Sequence, residues 1–320
     1  LFIDEITPTY EEWTRSSFIY KTNINGDTLW YRNFRHDPIV LYSCRDVGDG
    51  TTVALLDSWD YVNDCFNIFL VRLDACGNKI WCKEIFDNSG YGFGALDMEF
   101  IDNKIVFCRE HVNPNLGYKY DILMYDLNGQ MVCEKPFLFY NEYPLMNSPF
   151  LFRMLPLPDN EFMMLGRAYY KENQSSVGWL RSMFIKFDTD GNEQWVLPFG
   201  VSDTIVSTST NCENVVWIED REVYYAFSCD YTESDSLQLL LMKFDDNGIE
   251  KGYELSRMDS ILEDGFSPYF SSATLSEDPN KIITTVSYRL PDDPNHIGNI
   301  YTIVDSTISE FHDTLNLGGF

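Results

Sequence analysis

The feature that most limits what this chain can become is a turn that recurs five times. "FIYKTNINGDTLWYRNF", "FLVRLDACGNKIWCKEIF", "DILMYDLNGQMVCEKPF", "FIKFDTDGNEQWVLPF" and "LLMKFDDNGIEKGYEL" share one grammar. An apolar run reaches Lys21, Arg72, Met124, Lys186 or Lys243, and two residues on stands Asn23, Asp74, Asp126, Asp188 or Asp245. A glycine follows three residues later, at Gly26, Gly77, Gly129, Gly191 or Gly248. Four residues after it, three copies carry a tryptophan: Trp30, Trp81 and Trp195. A degenerate sixth copy, "NIYTIVDSTISEFHDTL", has Thr307 at the glycine position and Phe311 at the tryptophan position.

One copy, with Asp188, Asp190 and Asn192 around Gly191, has the look of a calcium loop. An EF-hand loop needs glycine at its sixth position and a bidentate Glu at its twelfth. Here glycine is the fourth residue counting from Asp188, and the twelfth is Phe199. A hairpin turn accounts for both residues instead, because glycine supplies a left-handed backbone and the Asx side chain bonds the turn. No cofactor is expected, and a divalent cation is the one alternative kept.

The anchors lie 51, 52, 62, 57 and 59 residues apart. That is the size of a four-stranded blade with generous loops. A second pair of apolar runs precedes each later hairpin, as in "IVLYSC" with "TTVALLDSW" and "ALDMEFI" with "KIVFCRE". The expected fold class is therefore all-β: a single β-propeller of six four-stranded blades over 1–320, with five or seven as alternatives. The blades are placed at 1–36, 37–88, 89–140, 141–201, 202–257 and 258–320. Only 17 residues precede the first hairpin, too few for two comfortable inner strands. Strand exchange between the termini is the expected closure.

The Asp-x-x-Gly-x-x-x-Trp hairpin resembles the repeats of quinoprotein-like and delta-60-type β-propellers, found in the Gram-negative cell envelope. In that family the tryptophan docks blade on blade. Cys133 and Gly252 replace it in two copies here, and six hairpins are fewer than the quinone enzymes carry. The sialidase Asp-box, Ser-x-Asp-x-Gly-x-x-Trp, is similar but differently spaced.

Charge narrows the partners. Fifty acidic side chains against 23 basic ones leave a formal charge of −27. That field repels nucleic acid and anionic lipid. A glycan, a peptide or an envelope protein remains as the expected partner. No apolar run is long enough for a membrane-spanning helix. The chain opens at Leu1 rather than Met, so a trimmed N-terminus that carried a signal or lipid anchor is expected, although a cloned fragment would look the same. Asp-Ser/Thr-aliphatic triplets at 27–29, 203–205, 235–237, 259–261 and 313–315 are similar to an envelope O-glycosylation signal. Together these place the protein outside the cytoplasm, in the periplasm or on the outer-membrane surface of a Gram-negative bacterium.

None of the eight cysteines forms a zinc-spaced set. If "VVWIEDREVYYAF" is a hairpin turning at Asp220-Arg221, Cys212 and Cys229 fall opposite one another as a candidate disulfide.

Strand alternation puts the glycine turns on one face and the loops between second and third strands on the other. Those other loops, with the links between blades, mix Trp59, Tyr61, Tyr91, Tyr118, Tyr140, Tyr143, Tyr169, Tyr170 and Trp179 with amides and carboxylates. Flat rings beside directional polar groups suit a sugar or an extended peptide. His111 and His296 follow second strands and are placed near the channel. No G-x-S-x-G, H-E-x-x-H or kinase set occurs. The expected function is a non-enzymatic binding scaffold that uses this aromatic face. The alternative is a glycan-cleaving hydrolase or lyase.

Overall fold

The computed structural model describes residues 2–6, 16–34, 39–60, 65–85, 92–113, 117–137, 146–170, 179–198, 209–218, 223–231, 237–257, 267–275, 281–289 and 297–305. Among them the chain is all-β, apart from one 3₁₀ turn at Pro158–Asn160. The first sheet holds β1 (Phe2–Ile6), β2 (Ser16–Thr22) and β3 (Thr28–Phe34), in that order. Four-stranded sheets follow. The next has β4 (Ile39–Asp46), β5 (Thr52–Asp60), β6 (Cys65–Leu73) and β7 (Lys79–Ile85). Then come β8 (Gly92–Ile101), β9 (Lys104–Asn113), β10 (Gly117–Asp126) and β11 (Met131–Phe137). The fourth sheet contains β12 (Met146–Pro156), β13 (Phe162–Tyr170), β14 (Trp179–Phe187) and β15 (Glu193–Pro198). The fifth contains β16 (Ser209–Ile218), β17 (Val223–Tyr231), β18 (Leu237–Asp245) and β19 (Glu250–Arg257). The last sheet shows three strands, β20 (Ser267–Leu275), β21 (Lys281–Arg289) and β22 (Ile297–Asp305). Every sheet is ordered as its strands follow one another in the chain, the pattern of antiparallel meanders joined by short turns.

The chain divides into two compact units. One comprises Leu1–Pro144, Phe152–Met163 and Phe187–Asn192; the other comprises Leu145–Leu151, Met164–Lys186 and Glu193–Phe320. In the first unit, the strands inside a sheet are apolar on both faces. Along β5, Val53 and Leu55 pack with Leu70, Ile105 and Phe107, while Ala54 and Leu56 turn the other way to Ile19, Trp30 and Val71. A sheet buried on both faces needs neighbours on both sides, so sheets stack face to face. Aromatic rings fill the second unit in the same way. Phe244 stacks on Phe184 at 5.2 Å and on Tyr224 at 5.0 Å.

The hairpin of β16 and β17 departs from expectation. A bulge between Cys212 and Asn214 shifts the register, so that Cys212 lies opposite Ser228 and Cys229 opposite Asn211. The two cysteines are therefore one step out of opposition. A bulge inserts an extra residue that no alternation pattern reveals.

Candidate active site

The five recurring turns are built alike. Each places the glycine at positive φ, from 72° at Gly248 to 85° at Gly26. Asp74 Oδ1 accepts the N–H groups of Cys76 and Asn78 at 2.9 and 2.7 Å, and Asp126 does the same for Asn128 and Gln130. Asp188 and Asp245 repeat the pattern, and Asn23 does so with its amide oxygen. These donors favour the charged carboxylate. The N–H of Asn78 holds Asp74 below the usual range, and that of Gln130 does so for Asp126.

The tryptophans complete the device by reaching forward to the next repeat. Trp30 Nε1 donates to the carbonyl of Ala75 at 2.9 Å, Trp81 to that of Leu127 at 3.0 Å and Trp195 to that of Asp246 at 2.8 Å. Each acceptor is the residue just after the next turn's Asp. The ring lies against that turn's glycine, where a Cβ on Gly77 would meet the Trp30 ring at 2.7 Å and one on Gly248 the Trp195 ring at 2.8 Å. Cys133 cannot do this, so Met124 closes on Gly191 and Lys104 donates to the carbonyl of Thr189. At two turns the basic residue at the head adds to the link: Arg72 bonds the carbonyl of Leu127, and Lys186 bonds Asp246.

A second polar cluster serves no turn. It lies on the first strands of consecutive sheets in the first unit. Arg45 on β4 donates from Nε to Glu99 Oε1 on β8 at 2.8 Å, and its Nη2 stands 2.7 Å from the same oxygen and 3.3 Å from Asp97 Oδ1. Asp97 is further held by the Ser43 hydroxyl at 2.7 Å, by the N–H of Met98 at 2.8 Å and, on its other oxygen, by the N–H of Met154 at 2.9 Å. Both carboxylate side chains are largely shielded, 12% and 13% exposed. Burial, opposed by the Arg45 contact, pushes the Glu99 carboxyl above the usual range. The outcome is one carboxylate held by several donors beside a second that burial pushes up, and raised carboxyls of this kind are a mark of candidate acid–base sites.

Local irregularity aims these groups. The β4–β5 ladder slips between Leu41 and Ser43, and the β8–β9 ladder slips on either side of Ala95 up to Met98. Bulges beside a site re-aim side chains that regular pleating would send elsewhere. Sequence reasoning missed all four residues. Their one signal was polar alternation, Ser43-x-Arg45 and Asp97-x-Glu99, inside otherwise apolar strands.

Of the residues expected to form a site, Trp59 lies on β5, His111 on β9, Tyr118 on β10, Tyr169 and Tyr170 on β13 and Trp179 on β14. Their backbones are described and their side chains are not. His111 pairs with Lys119, next to Tyr118, and Trp59 pairs with Phe66. Tyr61, Tyr91, Tyr140, Tyr143 and His296 lie outside the described residues. Among the described residues no group of three or more His, Cys, Asp or Glu is arranged to hold a metal ion.

No protein-family profile and no curated protein matches the sequence. Solved structures do match the fold. The α-L-arabinanase of Penicillium chrysogenum, solved with arabinobiose, is 13% identical over 81% of this chain and 80% of its own, with a TM-score of 0.51. Cobalt-substituted apocarotenoid oxygenase from Synechocystis is 12% identical over 93% of this chain, also with a TM-score of 0.51. This chain spans 66% of that oxygenase, just under two thirds. Both are enzymes on propeller folds, which corrects the expectation of a non-enzymatic binding scaffold and leaves the glycan-cleaving alternative. At such identity the likeness is one of fold, and the chain takes its place among β-propeller folds.

Proposed function

We propose that this chain is a glycan-cleaving enzyme, a hydrolase in the first instance, built as a single six-bladed propeller of the quinoprotein-like repeat type and working outside the cytoplasm. The carrying observation is the Arg45-bridged pair of Asp97 and Glu99. Glu99, whose carboxyl burial pushes above the usual range, is the acid that protonates the leaving glycosidic oxygen. Asp97, held in place by Ser43, Arg45 and two backbone N–H groups, is the carboxylate that meets the developing positive charge on the sugar. Arg45 positions both. Because Arg45 Nη2 touches an oxygen of each, those two oxygens are at most about 6 Å apart. An inverting enzyme needs roughly 6.5–9.5 Å between its carboxyl groups for a water, and a retaining one roughly 5–5.5 Å. The spacing supports retention. An uncharged glycan suits a surface of this negative charge better than a polyanionic one.

The test is reducing-end release from a panel of neutral polysaccharides, arabinan and xylan among them. Glu99→Gln is expected to lower turnover by roughly 10²–10⁴-fold, the usual contribution of a general acid. Asp97→Asn should be at least as damaging. Absence of release across the panel, or full activity in Glu99→Gln, would sink the reading.

A further inference from the structure

Among the described residues, large apolar side chains that reach solvent keep to two places. Leu29 and Tyr31 on β3, Ile80 on β7 and Met131 and Val132 on β11 all lie on last strands, and Ile24 and Ile249 lie in glycine turns. Tyr42 is the exception, 37% exposed on β4, the first strand of its sheet and the strand that carries Ser43 and Arg45.

The bulge in β4 accounts for it. Leu41 pairs with Leu56 and Ser43 with Leu55, so Tyr42 has no place in the ladder. Its neighbours are buried, at 8% and 1% exposure, and both are fastened. The N–H of Leu41 donates to Ser17 Oγ on β2 at 3.1 Å, and the Ser43 hydroxyl donates to Asp97 at 2.7 Å. An extra residue between two held neighbours bends the strand and re-aims its own side chain.

The bulge of β8 stands at the same level of the next sheet. There Leu96 and Asp97 together oppose Cys108, which lies between the partners of Ala95 and Met98. Leu55 and Cys108 in turn pair with Leu70 and Ile122, each two residues before the head of its glycine turn, Arg72 or Met124. One bulge thus sets Asp97 in the cluster, and its neighbour sets an exposed ring one residue from the serine that holds Asp97.

We propose that Tyr42 is the substrate-binding platform of the site, with the C–H face of a neutral sugar ring lying on the phenol ring and the scissile bond at the Asp97–Glu99 pair. The proposal takes its ligand class from the glycan-cleaving reading and rests on it in that respect. A flat ring receives the apolar face of a sugar, while the carboxylates and the guanidinium beside it receive hydroxyls. Stacking needs a bare face, so the glycan recognised is uncharged and unbranched at the stacked sugar.

Binding tests this without requiring turnover. Arabinohexaose and xylohexaose are titrated by calorimetry into the full chain carrying Glu99→Gln. Saturable binding of at least one is expected. Adding Tyr42→Leu, which keeps apolar bulk and loses the flat face, should weaken it roughly tenfold, and Tyr42→Phe should retain it. In the otherwise unaltered chain, Tyr42→Leu should raise KM for that glycan more than it lowers kcat. Binding of neither oligosaccharide, equal binding in Tyr42→Leu, or equal loss in Tyr42→Phe overturns the platform. Release of sugar with binding indifferent to Tyr42 sinks the platform alone. Binding through Tyr42 with no release by the unaltered chain sinks the enzymatic reading alone.

Discussion

Gly77→Ala against Gly26→Ala separates two roles that glycine has in the same turn. Both residues have positive φ, 77° and 85°, so a side chain costs each turn the left-handed penalty of roughly 1–2 kcal/mol. Of these two only Gly77 faces a ring among the described residues: the new Cβ would sit 2.7 and 2.8 Å from two carbons of Trp30, whereas no described residue comes within 4 Å at Gly26. Such overpacking costs typically about 1–3 kcal/mol. Trp30 is buried and tied to Ala75, so it cannot retreat without losing that hydrogen bond. Gly77→Ala should therefore destabilise by about 1–3 kcal/mol more than Gly26→Ala. Urea unfolding followed by far-UV circular dichroism reads the difference without relying on tryptophan emission. In a Trp30→Ala background the excess should vanish, since the double-mutant cycle removes its cause. Equal losses at the two glycines, or an excess that persists without Trp30, would refute the account of the tryptophan as a clasp on the next turn.

Other outcomes follow from named groups. Asp74 and Asp126 have native carboxyls held below the ordinary range, by backbone donors at Asn78 and Gln130 first. Their contribution to stability is present above the unfolded value near 4 and is lost as pH falls through the lower native value, so Asp74→Asn should flatten the acid limb of a stability–pH curve. Burial pushes the Cys44 thiol up to about 12. With Cys108 also buried and Cys76 exposed, a thiol reagent should label Cys76 in the native protein and reach Cys44 and Cys108 only on unfolding. If a glycan substrate is found, proton NMR of the first-formed product should show retained anomeric configuration; inversion would exclude Asp97 as a nucleophile paired with Glu99.

Much of the architecture was legible because its determinants are local. Asp188 and Gly191 lie three residues apart, and a turn that needs a left-handed residue and an Asx acceptor declares itself in a short window. The tryptophan was legible as a docking residue, although its target was not: Trp30 and Ala75 are 45 positions apart. The acidic cluster escaped for a related reason. Ser43, Arg45, Asp97 and Glu99 are ordinary polar residues in apolar strands, and Met154 joins them only through its backbone N–H, 57 residues from Asp97. The aromatic loops drew attention because composition is visible in sequence, while convergence is not. The described acidic cluster lies toward the end of β4 and β8 that runs into the turns at 47–51 and 102–103.

By itself, the sequence determined the repeat unit, its period, the hairpin with its acidic turn and the all-β class, because each depends on backbone conformation and side-chain alternation within a few residues. The tertiary structure alone decided which turn each tryptophan clasps and that Ser43 and Arg45 of one first strand meet Asp97 and Glu99 of the next. Those depend on how sheets stack and where a bulge shifts the register, quantities set by packing between segments some fifty residues apart.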